Sequence, residues 1–115
     1  MSCPYFFPET PCSDATGTPA RVPLGVLYDG LCLADPAHPR VPERDSLYES
    51  CNFGYGRSRC PSFPPGAEAD AVRFTRAGTE TVYILEKDCA PVRFGRIEEL
   101  TDLIMIRQAK VFQKI

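Results

Sequence analysis

Six cysteines in 115 residues are the side chains with the clearest chemical potential: Cys3, Cys12, Cys32, Cys51, Cys60 and Cys89. Where thiols stay reduced, cysteines at this density hold a metal or do redox work. Their spacing narrows the choice. Cys3 and Cys12 enclose eight residues, Cys51 and Cys60 enclose eight, and Cys32 falls almost midway between the pairs. There is no C-x-x-C and no H-x₃-H pair. Those short turns let two ligands reach one small ion, so an ordinary zinc finger is disfavoured. The ferredoxin run and the thioredoxin-type dithiol are excluded for the same reason. Wide loops suit a larger body, because an iron–sulfur cluster accepts ligands at its corners from separate segments.

Two features favour a cluster of the [4Fe–4S] type over structural zinc. Cys3 and Cys60 are each followed by proline, as is the last cysteine of the bacterial ferredoxin run. Aromatic residues crowd the cysteines, namely Tyr5, Phe6, Phe7, Phe53, Tyr55 and Phe63. Such a shell keeps water from a cluster, although the ordinary core of a small domain would also contain them. The expected ligands are Cys3, Cys32, Cys51 and Cys60, with Cys12 as a possible substitute for one. Loops leave backbone N–H groups free to bond to sulfur there, and Gly54 and Gly56 permit close backbone approach. Cys89, in a turn after Lys87-Asp88, reads as a free thiol. Disulfides or unligated thiols are the remaining alternatives.

At CPYFFP (3–8), GLC (30–32), CNFGYGRSRC (51–60) followed by PSFP, and DAVRF (70–74), the chain resembles a group of small bacterial cysteine-rich proteins with no assigned activity. The resemblance spans most of residues 1–97. It implies that Cys3, Cys32, Cys51 and Cys60 are the recurrent cysteines and that Cys12 and Cys89 are additions.

The elements that must position these thiols divide the chain. One small α+β domain fits the length. Residues 1–66 hold eleven of the twelve prolines and five of the six cysteines, and read as a metal-binding half of loops around short elements. Residues 26–33 look like a hairpin turning at Asp29-Gly30. Pro42 opens a short helix from Glu43 to about Cys51, with Gly54 just past its end. Residues 67–115 carry a three-stranded antiparallel meander, expected at 71–75, 81–86 and 92–97. A helix is expected over 98–114, with Ile97, Leu100, Ile104, Val111, Phe112 and Ile115 on one arc and Ile106 on the polar side.

Other chemistry is thin. His38 is the sole histidine and reads as solvated. Glu43, Asp45 and Glu49 read as a solvated helix face. Arg57, Arg59, Arg73, Arg76, Arg93 and Arg96 read as scattered charge that would form a basic patch only if the meander and the Cys51–Cys60 loop adjoin. No phosphate-binding glycine motif occurs, and no complete catalytic constellation assembles, so an enzyme is not favoured. The net charge of −2 argues against general nucleic-acid binding. No apolar run reaches membrane-span length, and the N-terminus lacks the features of a signal peptide. These features lead us to expect a cytoplasmic protein that carries electrons or senses redox state beside a larger redox enzyme or other protein partner. The alternative is a zinc-stabilised interaction module or regulator.

Overall fold

The computed structural model describes residues 2–11, 24 and 27–113. Strands β1 (Phe6–Pro11) and β2 (Tyr28–Cys32) form a two-stranded antiparallel sheet. Phe6 lies opposite Cys32 and Pro8 opposite Gly30. A bulge between Pro8 and Thr10 accommodates a strand with two prolines, which cannot donate to a ladder. The expected hairpin at Asp29-Gly30 is therefore not formed, because those residues lie inside β2. Glycine is needed there for close approach: a Cβ at Gly30 would stand 2.1 Å from the Phe7 carbonyl oxygen.

Helix α1 (Arg44–Ser46) continues into a wider π-helical turn, Leu47–Cys51. This is the expected short helix, with Glu43 as its N-cap. Asp45 and Glu49 are exposed on it, as a solvated face requires. Gly54 follows at φ +80, and a Cβ there would meet the Ala71 Cβ at 2.8 Å.

The meander is β3 (Ala71–Ala77), β4 (Glu80–Lys87) and β5 (Ala90–Arg96), in that spatial order. Its alternation is real: Val72, Phe74, Tyr83 and Leu85 are buried and line one face by register. Asp88 and Cys89 both take positive φ in the turn between β4 and β5, as a tight mirror-image turn demands.

The C-terminal helix starts later than the acidic residues suggest. Ile97–Glu99 form a single 3₁₀ turn, in which the Glu99 side chain accepts from the Arg96 N–H. Helix α2 then runs Leu103–Phe112 from Asp102, whose carboxylate accepts from the N–H groups of Ile104 and Met105. That cap fixes the start. The buried stripe is Met105, Gln108, Ala109 and Val111, while Leu103 is 77% exposed. The expected arc holds at Val111, which is buried, and at Ile97, Leu100 and Phe112, which pack half-buried against the meander, whereas Ile104 is only half-buried. Lys114 and Ile115 lie outside the described residues.

Two apolar clusters meet at α2. Met105 and Ala109 pack with Val72, Phe74 and Leu85 of the meander. Val111 packs with Phe6, Leu24, Tyr28, Leu47 and Cys51 of the cysteine-bearing half. Among the described residues no helix is long and apolar enough to cross a membrane.

Candidate metal centre

Backbone hydrogen bonds lash the cysteine segments together. The Cys3 N–H donates to the Cys51 carbonyl at 3.0 Å, and the Leu33 N–H to the Tyr5 carbonyl at 2.9 Å. Cys32 and Arg40 exchange N–H···O bonds of 2.8 and 3.2 Å. The Cys60 N–H donates to the Gly56 carbonyl at 2.6 Å, which closes the short turn at Gly56–Ser58 onto Cys60. Phe63 then meets Tyr5 edge-on, with ring centroids 5.7 Å apart. The Cys60 loop is thereby joined to the Cys3 loop.

The result is one pocket whose wall includes Cys3, Cys32, Cys51 and Cys60 together. These are the four expected ligands, and the structure gathers them from four separate segments. Cys12 lies outside the described residues. Cys89 is exposed at the β4–β5 turn and does not line this pocket. The five described cysteines are all free of disulfides.

The aromatic shell is narrower than expected. Tyr5, Phe6 and Phe63 line the pocket, and Phe53 packs against the adjoining core. Phe7 lies instead beneath the Arg107 guanidinium. Tyr55 is directed to the meander, where its hydroxyl donates to Glu86 Oε1 at 2.6 Å.

Burial dominates the electrostatics. It pushes the Cys3 thiol up to about 12, with further upward pressure from Cys32 and Cys60. The backbone N–H groups of Tyr5 and Phe6 act in the opposite sense on the Cys3 sulfur, as expected of donors that favour thiolate. Burial likewise raises Cys51 to about 12, reinforced by Cys3, Cys32 and Cys60 and opposed by Arg40. Each of these thiols therefore feels other members of the set. Without a compensating cation they stay protonated at neutral pH.

The donor chemistry is soft and uniform. No carboxylate and no imidazole joins the four sulfurs in the pocket wall, a set that suits zinc or iron–sulfur groups. The free space at the pocket centre is about 10 Å³, room for roughly one water. Among the described residues no three His, Cys, Asp or Glu side chains converge as a site for a single ion. Cys3, Cys32, Cys51 and Cys60 are the residues that would hold such a group, and the thiol side chains would have to rearrange to do so.

Two buried amides hold this scaffold, and neither carried a sequence signal. Asn52 grips Tyr28 from both sides, accepting from its N–H at 2.9 Å and donating to its carbonyl at 3.1 Å. It also donates to the Leu47 carbonyl at 2.8 Å. The residue after Cys51 thus anchors the strand that ends in Cys32. Gln108, fully buried on α2, donates to the carbonyls of Cys3 and Phe6 at 2.8 and 2.7 Å. It also accepts from the Ser2 hydroxyl at 2.5 Å.

Four of the six arginines on the meander and the Cys51–Cys60 loop are paired with carboxylates among the described residues. Arg57 pairs with Asp70, Arg73 with Glu86, Arg93 with Glu68, and Arg96 with Glu80 and Glu99. His38 is exposed and pairs with Asp35 at 3.0 Å. Comparison with protein-family models, with curated proteins and with solved structures gives no match.

Proposed function

We propose that this protein binds a metal group through Cys3, Cys32, Cys51 and Cys60, and that the group is an iron–sulfur cluster of the [4Fe–4S] type. The observation that carries the reading is the presence of these four cysteines in the wall of one pocket that no carboxylate or imidazole lines. Such a cluster, when bound, accepts and gives up single electrons. The chain's part is to exclude water and stabilise thiolate. Tyr5, Phe6 and Phe63 do the first. The N–H groups of Tyr5 and Phe6 do the second at Cys3, and the Arg40 charge does so at Cys51. The reading implies an electron-transfer or redox-sensing role beside a larger partner in a reducing compartment such as the cytoplasm.

A second reading has its own support. The small free space at the pocket centre favours one zinc ion over a polynuclear group, and zinc would make the site a structural staple. Anaerobic expression followed by iron, zinc and sulfide analysis and an absorption spectrum separates the two. About four irons with matching sulfide and a broad band at roughly 400 nm support the cluster. A colourless chain with one zinc overturns it in favour of the staple. Serine at any of the four positions should abolish the metal content, whereas Cys89→Ser should leave it intact. A protein that takes up neither metal overturns both readings.

A further inference from the structure

Beside the thiol pocket lies a second, open crevice of about 410 Å³. It shares Cys32, Arg40 and Ser62 with the thiol pocket and adds Asp35 and His38. Ala34 and Pro64 supply apolar wall common to both. The two spaces are therefore neighbours that meet at the side chains around Cys32.

Arg40 distinguishes this crevice. It is half-buried, and among the described residues its side chain has no carboxylate partner. Arg57, Arg73, Arg93 and Arg96 each have one. The acid in the crevice is already engaged. Asp35 Oδ1 accepts from the Ala37 N–H at 3.1 Å, and Oδ2 pairs with His38 Nδ1 at 3.0 Å. That pairing leaves His38 Nε2 for another partner. The Ser62 hydroxyl is a further donor. A concave site with a guanidinium, a hydroxyl and an imidazole set on apolar wall has the composition of a small-ligand site. A guanidinium without a carboxylate is matched by planar or tetrahedral oxyanions, which accept two parallel N–H bonds.

We propose that this crevice binds a small oxyanion, a carboxylate or a phosphate, with Arg40 as its principal contact and Ser62 and His38 as its helpers. The ligand would sit against the Cys32 side of the thiol pocket. The proposal goes beyond the metal reading and does not require it. The competing account makes Arg40 only a counter-charge for the thiols, in keeping with its effect on Cys51, and that account expects no anion uptake.

The test is titration of the full chain with malonate and, separately, with inorganic phosphate at about 0.15 M ionic strength, where exposed charges are screened. Binding is followed by calorimetry and by amide NMR shifts, with metal content measured on the same sample. One saturable site per chain is expected, with shifts at residues 32–40 and 61–64. Arg40→Gln should weaken it by about tenfold or more, Ser62→Ala and His38→Ala less, and Arg93→Gln not at all. The malonate and phosphate arms decide which oxyanion is preferred. Absence of saturable binding, or binding unchanged in Arg40→Gln, overturns the proposal. If Arg40→Gln fails to fold, unchanged binding in the exposed-site double variant Ser62→Ala/His38→Ala overturns it. A sample that carries metal but takes up no anion rejects this site alone, while anion uptake by a metal-free chain rejects only the metal reading.

Discussion

Gln108 Nε2 donates to the carbonyl oxygen of Cys3 at 2.8 Å, across 105 residues of chain. The same nitrogen reaches the Phe6 carbonyl at 2.7 Å, and the amide oxygen accepts from the Ser2 hydroxyl. One buried side chain on α2 thus supplies partners for the Cys3 and Phe6 carbonyls and for the Ser2 hydroxyl. Replacing it by leucine removes three interior hydrogen bonds, while the Cys3 carbonyl keeps the Phe6 N–H at 3.1 Å and the Ser2 hydroxyl keeps the Val72 carbonyl at 3.5 Å. Gln108→Leu should lower stability by about 1–3 kcal/mol, since each hydrogen bond lost costs roughly 0.5–1.5 kcal/mol net. Urea unfolding of the as-purified protein measures this, and metal content should fall in parallel. Stability unchanged from the parent would mean that the amide is not the clamp described.

Gly30 offers a sharper geometric test. Alanine there would place a Cβ 2.1 Å from the Phe7 carbonyl oxygen, a contact with backbone that cannot turn aside. Strands β1 and β2 must then separate, and Cys32 at the end of β2 moves with them. Gly30→Ala should cost about 2–4 kcal/mol and reduce metal occupancy. Gly66→Ala, with nothing within 4 Å of its added carbon, should stay within about 0.5 kcal/mol of the parent. Thermal unfolding of the two variants side by side checks the contrast.

The thiols of the metal-free chain should differ in reactivity. Thiolate, not thiol, is the nucleophile. Burial holds Cys3 and Cys51 up at about 12, whereas Cys89 is exposed. Alkylation of the metal-free chain at pH 8 should therefore label Cys89 first. Cys3 and Cys51 should follow more slowly by about two orders of magnitude or more, as read by mass mapping. The same protons govern stability. The folded state holds them more tightly than the unfolded chain, so their contribution is complete below the ordinary value of 9.0 and is lost as pH rises toward about 12. Metal uptake at neutral pH should release protons, which calorimetry in buffers of different ionisation enthalpy detects.

Asp70 gives the opposite pH signature. Burial by itself would raise its carboxyl, but the Asp88 N–H at 2.9 Å and the Arg57 guanidinium outweigh it and hold the carboxyl below its ordinary value. A lowered folded value stabilises above the unfolded value, roughly 3.9, and that stability disappears as pH falls through the folded one. Asp70→Asn should cost about 1–3 kcal/mol at pH 7 and flatten the loss of stability below pH 4 or so. Denaturant midpoints at pH 7, 4.5 and 3 test the slope, and a variant as acid-sensitive as the parent would assign that slope to other carboxylates.

Local pattern and long-range contact divide what could be read in advance. The meander was legible because alternation and β-branched residues at 71–77 and 80–87 bury one face. Cys3, Cys32, Cys51 and Cys60 line one pocket, but their place in the proline-rich half did not separate them from Cys12; the resemblance was needed for that. Asp29-Gly30 misled because the dipeptide suits a tight turn, yet its glycine is required by a strand more than twenty residues earlier. Glu98 and Glu99 resemble a helix start, but Asp102 caps the backbone that follows. Gln108 and Asn52 gave no sign at all. A buried amide differs from a surface one only in what surrounds it, and those partners are distant in sequence. Arg40 was silent for the same reason, since its interest lies in a missing carboxylate.

The clamp from α2 also bears on the order in which the protein is made. Cys3 leaves the ribosome 105 residues ahead of Gln108, the α2 side chain that secures its carbonyl. At roughly 5–20 residues per second, the first thiol waits several seconds for its support. On the proposed ligand set, Cys32, Cys51 and Cys60 would all be available before the Cys3 backbone is fixed. Fixing of the Cys3 backbone thereby becomes a record that synthesis has passed α2.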